Sequence, residues 1–92
     1  MEGCNSMPDS KTIGRIMRHI REEKSLSQEV VSGFAVIARS HLCDIECGRK
    51  RPTMKTYFRI CRALNVHPGD VMRMAEAEWE KQAQNSCKSE AK

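Results

Sequence analysis

The stretch from Leu26 to Thr53, LSQEVVSGFAVIARSHLCDIECGRKRPT, limits the fold more than any other part of the chain. It places two short apolar-periodic segments almost end to end. Ser27 can cap the first, its hydroxyl accepting a backbone N–H of the opening turn. Gln28 and Glu29 follow, and the glutamate's charge suits the positive end of the helix dipole. Val30 and Val31 supply the apolar contacts of this segment, and Gly33 keeps it short, costing about 1 kcal/mol relative to alanine in a helix interior. Phe34-Ala35-Val36-Ile37 reads as an apolar turn that is buried. A second helix spans about Arg39 to Cys47. By the 3.6-residue period Ala38, Leu42 and Ile45 face inward, while Ser40, Cys43, Asp44 and Cys47 face outward, flanked by Arg39. Gly48 stops that helix, and Arg49-Lys50-Arg51-Pro52 forms a basic loop. Helices joined by so few residues must cross.

The flanking sequence supplies the layers that hold such a crossing. Ile13, Met17 and Ile20, with Ile16 beside them, mark one face of a helix opened by Ser10. Thr53 caps a helix reaching Leu64, with Met54, Tyr57, Ile60, Cys61 and Leu64 as its inner stripe and Phe58 widening it. Asn65 tolerates the left-handed conformation that ends a helix. His67-Pro68-Gly69-Asp70 starts a fifth, with Pro68 in the first turn. Its apolar stripe is Val71, Met72 or Met74, Ala75 and Trp79. No segment alternates with period two for long enough to form a strand. The expected fold is all-α, with five helices. Residues 1–9 read as a disordered lead and residues 10–74 as the domain. Residues 75–92 read as a helical extension that frays after about Gln84.

With 92 residues and 39% hydrophobic content, one small core is affordable and two are not. The first residues, MEGCNSMPDSK, are polar, and no stretch approaches the ~20 apolar residues of a membrane helix. The expected location is the cytoplasm, away from membranes. Five cysteines, an odd number, argue against a disulfide framework and read as reduced thiols. Cys43 and Cys47 sit four apart on one face with His41 near. Such a pair can begin a zinc site or act as a thiol sensor. The four-ligand spacing of a metal site is absent, so no metal or other cofactor is expected. Neither a catalytic Ser/His/Asp set nor a phosphate-cradling loop is present, so the chain does not read as an enzyme. The formal charge is +4. It is concentrated between Ile37 and Arg62, where seven basic side chains face two acids. That suits a polyanion partner.

A short helix, a tight turn and a second helix with a polar outer face make a helix-turn-helix. The major groove of B-DNA, about 12 Å wide, admits one such helix. In this register Arg39 and Ser40 lie at the N-terminal end that reaches base edges, and the basic loop passes phosphates on leaving the groove. The chain resembles the lambda-repressor-like helix-turn-helix family of the Cro and Xre type. The resemblance rests on Leu26-Ser27-Gln28-Glu29, Ile37, Arg39-Ser40, Leu42, Ile45-Glu46, Gly48 and Pro52. It extends back to Ile13-Gly14 and Arg21 and forward through Ile60, Ala63-Leu64 and Val66.

The resemblance implies a five-helix domain that binds a short palindromic operator in double-stranded DNA as a homodimer, most often as a repressor. Carried over by position, Arg39, Ser40 and Asp44 would contact bases. Gln28, Gly48, Arg49, Lys50 and Arg51 would contact phosphates. Arg21 and Glu46 would form an ion pair between helices one and three. Val71, Ala75 and Trp79 are the candidate dimer contacts. The alternative reading is an antitoxin that neutralises a protein partner and represses its own operon. Three positions depart from the family pattern, with Ser25, Val36 and Asn65 standing where it has glycine. A β-branched residue is strained at positive φ, so either the turn around Val36 is rearranged or packing offsets the strain. Ala38 replaces the usual hydroxyl cap of the third helix, losing roughly 1 kcal/mol of capping.

Overall fold

In the computed structural model the backbone is described for residues 8–91 and side chains as far as residue 81. Five helices follow in order: α1 (Ser10–Glu23), α2 (Gln28–Ala35), α3 (Arg39–Glu46), α4 (Met54–Ala63) and α5 (Pro68–Ala91). The lead assigned to residues 1–9 lies almost wholly outside the described residues. Helix α5 is unbroken through Ala91, so the extension is a continuation of the fifth helix.

The first four helices end on one device. A left-handed residue follows each: Ser25, Val36, Gly48 and Asn65, with φ of 57, 59, 82 and 59°. Its N–H bonds three residues back, and the next N–H bonds five back. The pairs are Ser25 to Glu22 and Leu26 to Arg21, then Val36 to Gly33 and Ile37 to Ser32. Gly48 to Ile45 and Arg49 to Asp44 follow, then Asn65 to Arg62 and Val66 to Cys61. This is the Schellman pattern, which satisfies carbonyls a helix would otherwise leave open. It also reverses the chain sharply, which lets short helices stack into a globule.

Starts are set by side chains. Ser27 Oγ accepts from Val30 N at 3.1 Å, and Thr53 Oγ1 from Thr56 N at 3.2 Å. Helix α1 is capped by Asp9, not Ser10: Asp9 Oδ1 accepts from Thr12 N at 2.8 Å. The Ser10 hydroxyl donates instead to the Gly48 carbonyl, 3.3 Å away, tying α1 to the turn after α3. The cap thus falls one residue before the one the sequence suggested, because both residues have capping chemistry and helical spacing does not tell neighbours apart. The Thr12 hydrogen bonds hold the Asp9 carboxyl below its usual 3.8. A carboxyl lowered in the folded state stabilises above its unfolded pKa and loses that contribution as pH falls through the folded value. Asp9→Ala should therefore cost about 1 kcal/mol at neutral pH. Urea midpoints of the two proteins should converge on acidification below 3.8.

The core gathers Ile13, Met17 and Ile20 from α1, Val31 and Ala35 from α2, and Leu42 and Ile45 from α3. Tyr57, Ile60, Cys61 and Leu64 join from α4, and Val71 and Ala75 from α5. Burial raises the Cys61 thiol pKa to about 11, as expected of a core residue with no reactive role. The Tyr57 hydroxyl donates to the Pro68 carbonyl and closes the α4–α5 corner.

Several apolar residues expected inside are outside. Phe34 and Val36 are 76% and 74% exposed, Met54 is 68% exposed, and Val30, Phe58 and Ala38 are also exposed. Helix α2 has barely two turns. Once Val31 and Ala35 point inward, four residues apart, Val30 and Phe34 are rotated out by one residue step. On α4, Tyr57, Ile60, Cys61 and Leu64 fill the core, which leaves Phe58 at the rim and Met54 beyond it in the first turn.

Exposure also decides the question raised by Val36. The turn is not rearranged, since φ 59° and ψ 48° are left-handed helical values. Nor does packing offset the strain, since the side chain faces solvent. A left-handed L-residue costs roughly 1–2 kcal/mol, and glycine returns part of that through unfolded-state entropy. Val36→Gly should therefore raise stability by about 0.5–1 kcal/mol in urea unfolding, with the helix content of the circular dichroism spectrum unchanged.

Candidate nucleic-acid interface

The angle between α2 and α3 is fixed from beneath by a three-helix clamp. Arg21 of α1 donates through Nε to Glu46 Oε2 at 2.8 Å and through Nη2 to Glu46 Oε1 at 3.1 Å. Its Nη1 donates to the Leu26 carbonyl at 2.8 Å, bracing the α1–α2 turn. Gln28 Nε2, at the start of α2, donates to Glu46 Oε1 at 2.9 Å. The two charged side chains are 12% and 2% exposed, so the pair is nearly dry. Buried charge without partners would be costly. Here both Glu46 oxygens are used, and Arg21 spans three acceptors. The sequence pointed to the Arg21–Glu46 pair. It gave no sign of the Leu26 and Gln28 bonds, because no helical periodicity links positions on different helices. One N–H of Gln28 is therefore committed inward.

A second contact sets how close α3 lies. Gly14 is buried against the end of α3, and a Cβ there would stand 2.8 Å from the Glu46 carbonyl oxygen and closer still to that of Ile45. Gly48, in the turn after α3, packs against the first turn of α1. Its φ is +82°, and a Cβ would stand 2.8 Å from the Lys11 Cα. Backbone therefore meets backbone at two places where the start of α1 packs on the end of α3.

On this support α3 presents its outer face. Arg39 and Ser40 are exposed at its start, after Ala38, which makes no side-chain cap bond. Gln28, Arg39, Ser40 and Cys43 line a shallow groove between the start of α2 and α3. One turn on, Asp44 Oδ1 accepts from Arg49 Nε at 3.0 Å, a bond that raises the Arg49 pKa, and Arg49 Nη2 lies 3.9 Å from Cys43 Sγ. Asp44 is thus engaged with the basic loop. Both acids of the segment are matched, Glu46 by Arg21 and Asp44 by Arg49. Among the described residues no acid pairs with Arg39, Lys50 or Arg51, so the net field of this edge is positive.

Of the residues assigned by position, Gln28, Arg39 and Ser40 share one groove, Asp44 is bonded to Arg49, and Gly48, Lys50 and Arg51 lie in the loop that leaves α3. The candidate dimer contacts are not brought together in the same way. Val71 and Ala75 are fully buried against the single chain's own core and cannot reach a partner. The stripe is apolar, but α1 and α4 of the same chain already cover it. Trp79, one turn beyond Ala75, is half-buried.

A polar-faced helix crossed over a short helix and carried on three others is the architecture of a helix-turn-helix domain, and the chain belongs to that family. The family model described as a helix-turn-helix domain matches residues 12–74. The ImmF control region 10 kDa protein of Bacillus phage phi105 is 35% identical over 78% of this chain and 79% of its own length. The immunity repressor protein of the same phage is 30% identical over 86% of this chain, which spans 55% of that longer relative. Among solved structures, the clp gene regulator ClgR of Corynebacterium glutamicum superposes with a TM-score of 0.83 at 21% identity, over 89% of this chain and 87% of its own. The restriction-modification controller protein C.AhdI of Aeromonas hydrophila gives 0.66 at 24% identity, over 67% of this chain and 94% of its own. At these identities the structural likeness concerns the fold. No helix among the described residues is long and apolar enough to cross a membrane.

Proposed function

We propose that this chain is a sequence-specific DNA-binding repressor that reads a short palindromic operator as a homodimer. The observation that carries the reading is the exposed start of α3, with Arg39 and Ser40 free of acidic partners among the described residues and a cationic loop beside it, on a crossing locked by the Arg21–Glu46–Gln28 clamp. The relative named as an immunity repressor supports the regulatory direction.

In this reading α3 lies in the major groove. Arg39 makes the bidentate contact to a guanine edge, worth about 1–3 kcal/mol of discrimination. Ser40 contacts a base edge or the neighbouring phosphate. Asp44 faces the same groove, and its bond to Arg49 screens its charge from the phosphates. Lys50, Arg51 and the free part of Gln28 engage the backbone, with the N–H groups near Gly48. Phosphate neutralisation releases counterions, so affinity falls steeply with salt.

Duplexes selected from a random pool supply the operator, and fluorescence anisotropy measures binding. Arg39→Ala should reduce the preference for the selected site over a scrambled one about tenfold. Arg51→Ala should weaken both alike and lower the log–log salt slope by about 0.9. Unchanged discrimination in Arg39→Ala contradicts the base contact, and failure to select any duplex contradicts the reading as a whole.

A further inference from the structure

We infer that the exposed apolar face shared by α2 and α4 is the surface through which a second copy of this chain binds, with Phe34 at its centre. The inference rests on the proposed homodimer and deepens it, moving the contact off α5. On α4, Met54, Phe58 and Arg62 recur at four-residue steps and so stack along one exposed stripe. On α2, Val30 and Phe34 do the same. The two helices pack on each other, and their stripes meet where Phe34, Arg62, Ala63 and Asn65 line an open groove of about 350 Å³. Phe34 and Met54 are mostly in water, and Phe58 and Val30 nearly half.

The area suits a small dimer. Taking about 200 Å² for a large side chain in full exposure, the four apolar residues leave on the order of 400 Å² in water. That equals the largest patch an ordinary monomer carries, roughly 300–600 Å², and such patches are often functional. A two-fold axis covers the face on both copies, which is about 800 Å² of apolar surface by the same reckoning. At the roughly 65% apolar fraction of homodimer interfaces, this corresponds to about 1,200 Å² buried in all, the lower edge of specific interfaces. The free dimer should therefore be weak, and the operator should complete it.

The chemistry of the face selects a copy of the chain over a foreign partner. A two-fold contact needs a surface that fits itself. Each copy offers a projecting ring, Phe34, and the groove beside it, so each ring can enter the other's groove and the two rings meet across the axis. The rim carries both signs, with Glu29 next to Val30 and with Lys55 and Arg59 next to Met54 and Phe58. A rim of one sign would repel its own copy. No residue of the face belongs to α3 or to the basic loop, so pairing does not use the DNA edge of either copy. The stripe of α5 offers no equivalent, because Val71 and Ala75 are buried within the single chain.

Sedimentation equilibrium of the full chain without DNA, from micromolar to near-millimolar concentration, tests the contact. Wild type should pass from monomer to dimer, with amide shifts on dilution confined to residues 30–36 and 54–65. Phe34→Gln, at a solvent-facing position, should raise the dimer dissociation constant about tenfold or more while the circular dichroism spectrum stays that of wild type. Phe58→Gln should act in the same direction. Met74→Gln, on the exposed side of α5, is the control and should change nothing. On the selected duplex, Phe34→Gln should keep wild-type affinity for a half-site and lose the cooperative gain on the full palindrome. A wild type that stays monomeric throughout and fills the two half-sites independently would overturn the inference with the DNA reading intact. So would a dimer that ignores Phe34→Gln and Phe58→Gln but dissociates in Met74→Gln. A wild type that dimerises through this face yet binds no duplex would refute the DNA reading and leave the contact standing.

Discussion

Replacing Gly14 with alanine is expected to cost about 3 kcal/mol, the upper part of the range for overpacking a filled interior. The added methyl would meet the carbonyl oxygens of Ile45 and Glu46, which are backbone atoms. A flexible side chain could swing aside, but a carbonyl at the end of a helix moves only if the helix moves. Helix α3 must then back away from α1, stretching the Arg21–Glu46 bonds at the same place. Gly33→Ala is the natural contrast. Nothing lies within 4 Å of a Cβ at Gly33, so alanine should add roughly 0.5–1 kcal/mol by helix propensity alone. Urea unfolding of both variants checks the pair: the midpoint should fall sharply in one and rise in the other. Equal behaviour would mean that α1 and α3 are not in backbone contact.

Glu46→Ala should cost about 3–5 kcal/mol, because it removes one partner of a buried pair and strands the other. Arg21 Nε and Nη2 and Gln28 Nε2 all lose their acceptor, and only the Leu26 carbonyl remains to the guanidinium. Most of that loss comes from the uncompensated charge left behind. The double variant Arg21→Met/Glu46→Met should therefore recover much of it, since a buried ion pair replaced by apolar groups of similar volume is often neutral. Thermal or urea unfolding of the single and double variants gives the coupling directly. DNA affinity should not recover equally, because methionines cannot hold Gln28 or fix the angle of α3. Stability and binding would then separate, which locates the role of the clamp in orientation.

The helices were legible because their ends carry chemistry a reader can recognise. Ser27 and Thr53 cap α2 and α4, Gly48 and Asn65 end α3 and α4, and the inward residues of α1 recur at helical spacing. What periodicity could not give was the width of each buried stripe. Phe34, Val36 and Met54 are apolar enough for a core, yet the core has no room for them once Val31, Ala35 and Ile60 are placed. Hydrophobicity ranks residues one by one, whereas burial is a competition among helices for one small volume. The same limit applied to Val71 and Ala75, whose stripe suited a partner's surface as well as the chain's own. The candidate interface was legible in which residues it uses, because their spacing alone puts Arg39, Ser40, Asp44 and the basic loop on one side. Its internal wiring was not. That Asp44 holds Arg49, and that Gln28 turns one N–H inward to Glu46, depends on side-chain reach across a turn, on which sequence spacing is silent.

The central claim is that the exposed edge of α3 is the surface that meets duplex DNA. Mapping backbone amide shifts by NMR during titration with the selected duplex addresses it directly. The account predicts that the largest changes fall at Gln28, at Arg39 to Asp44 and at Gly48 to Arg51, with the core of α1 and the face of α5 left nearly still. Changes concentrated on α5, or on the exposed side chains of Phe34 and Phe58 with α3 unmoved, would contradict it.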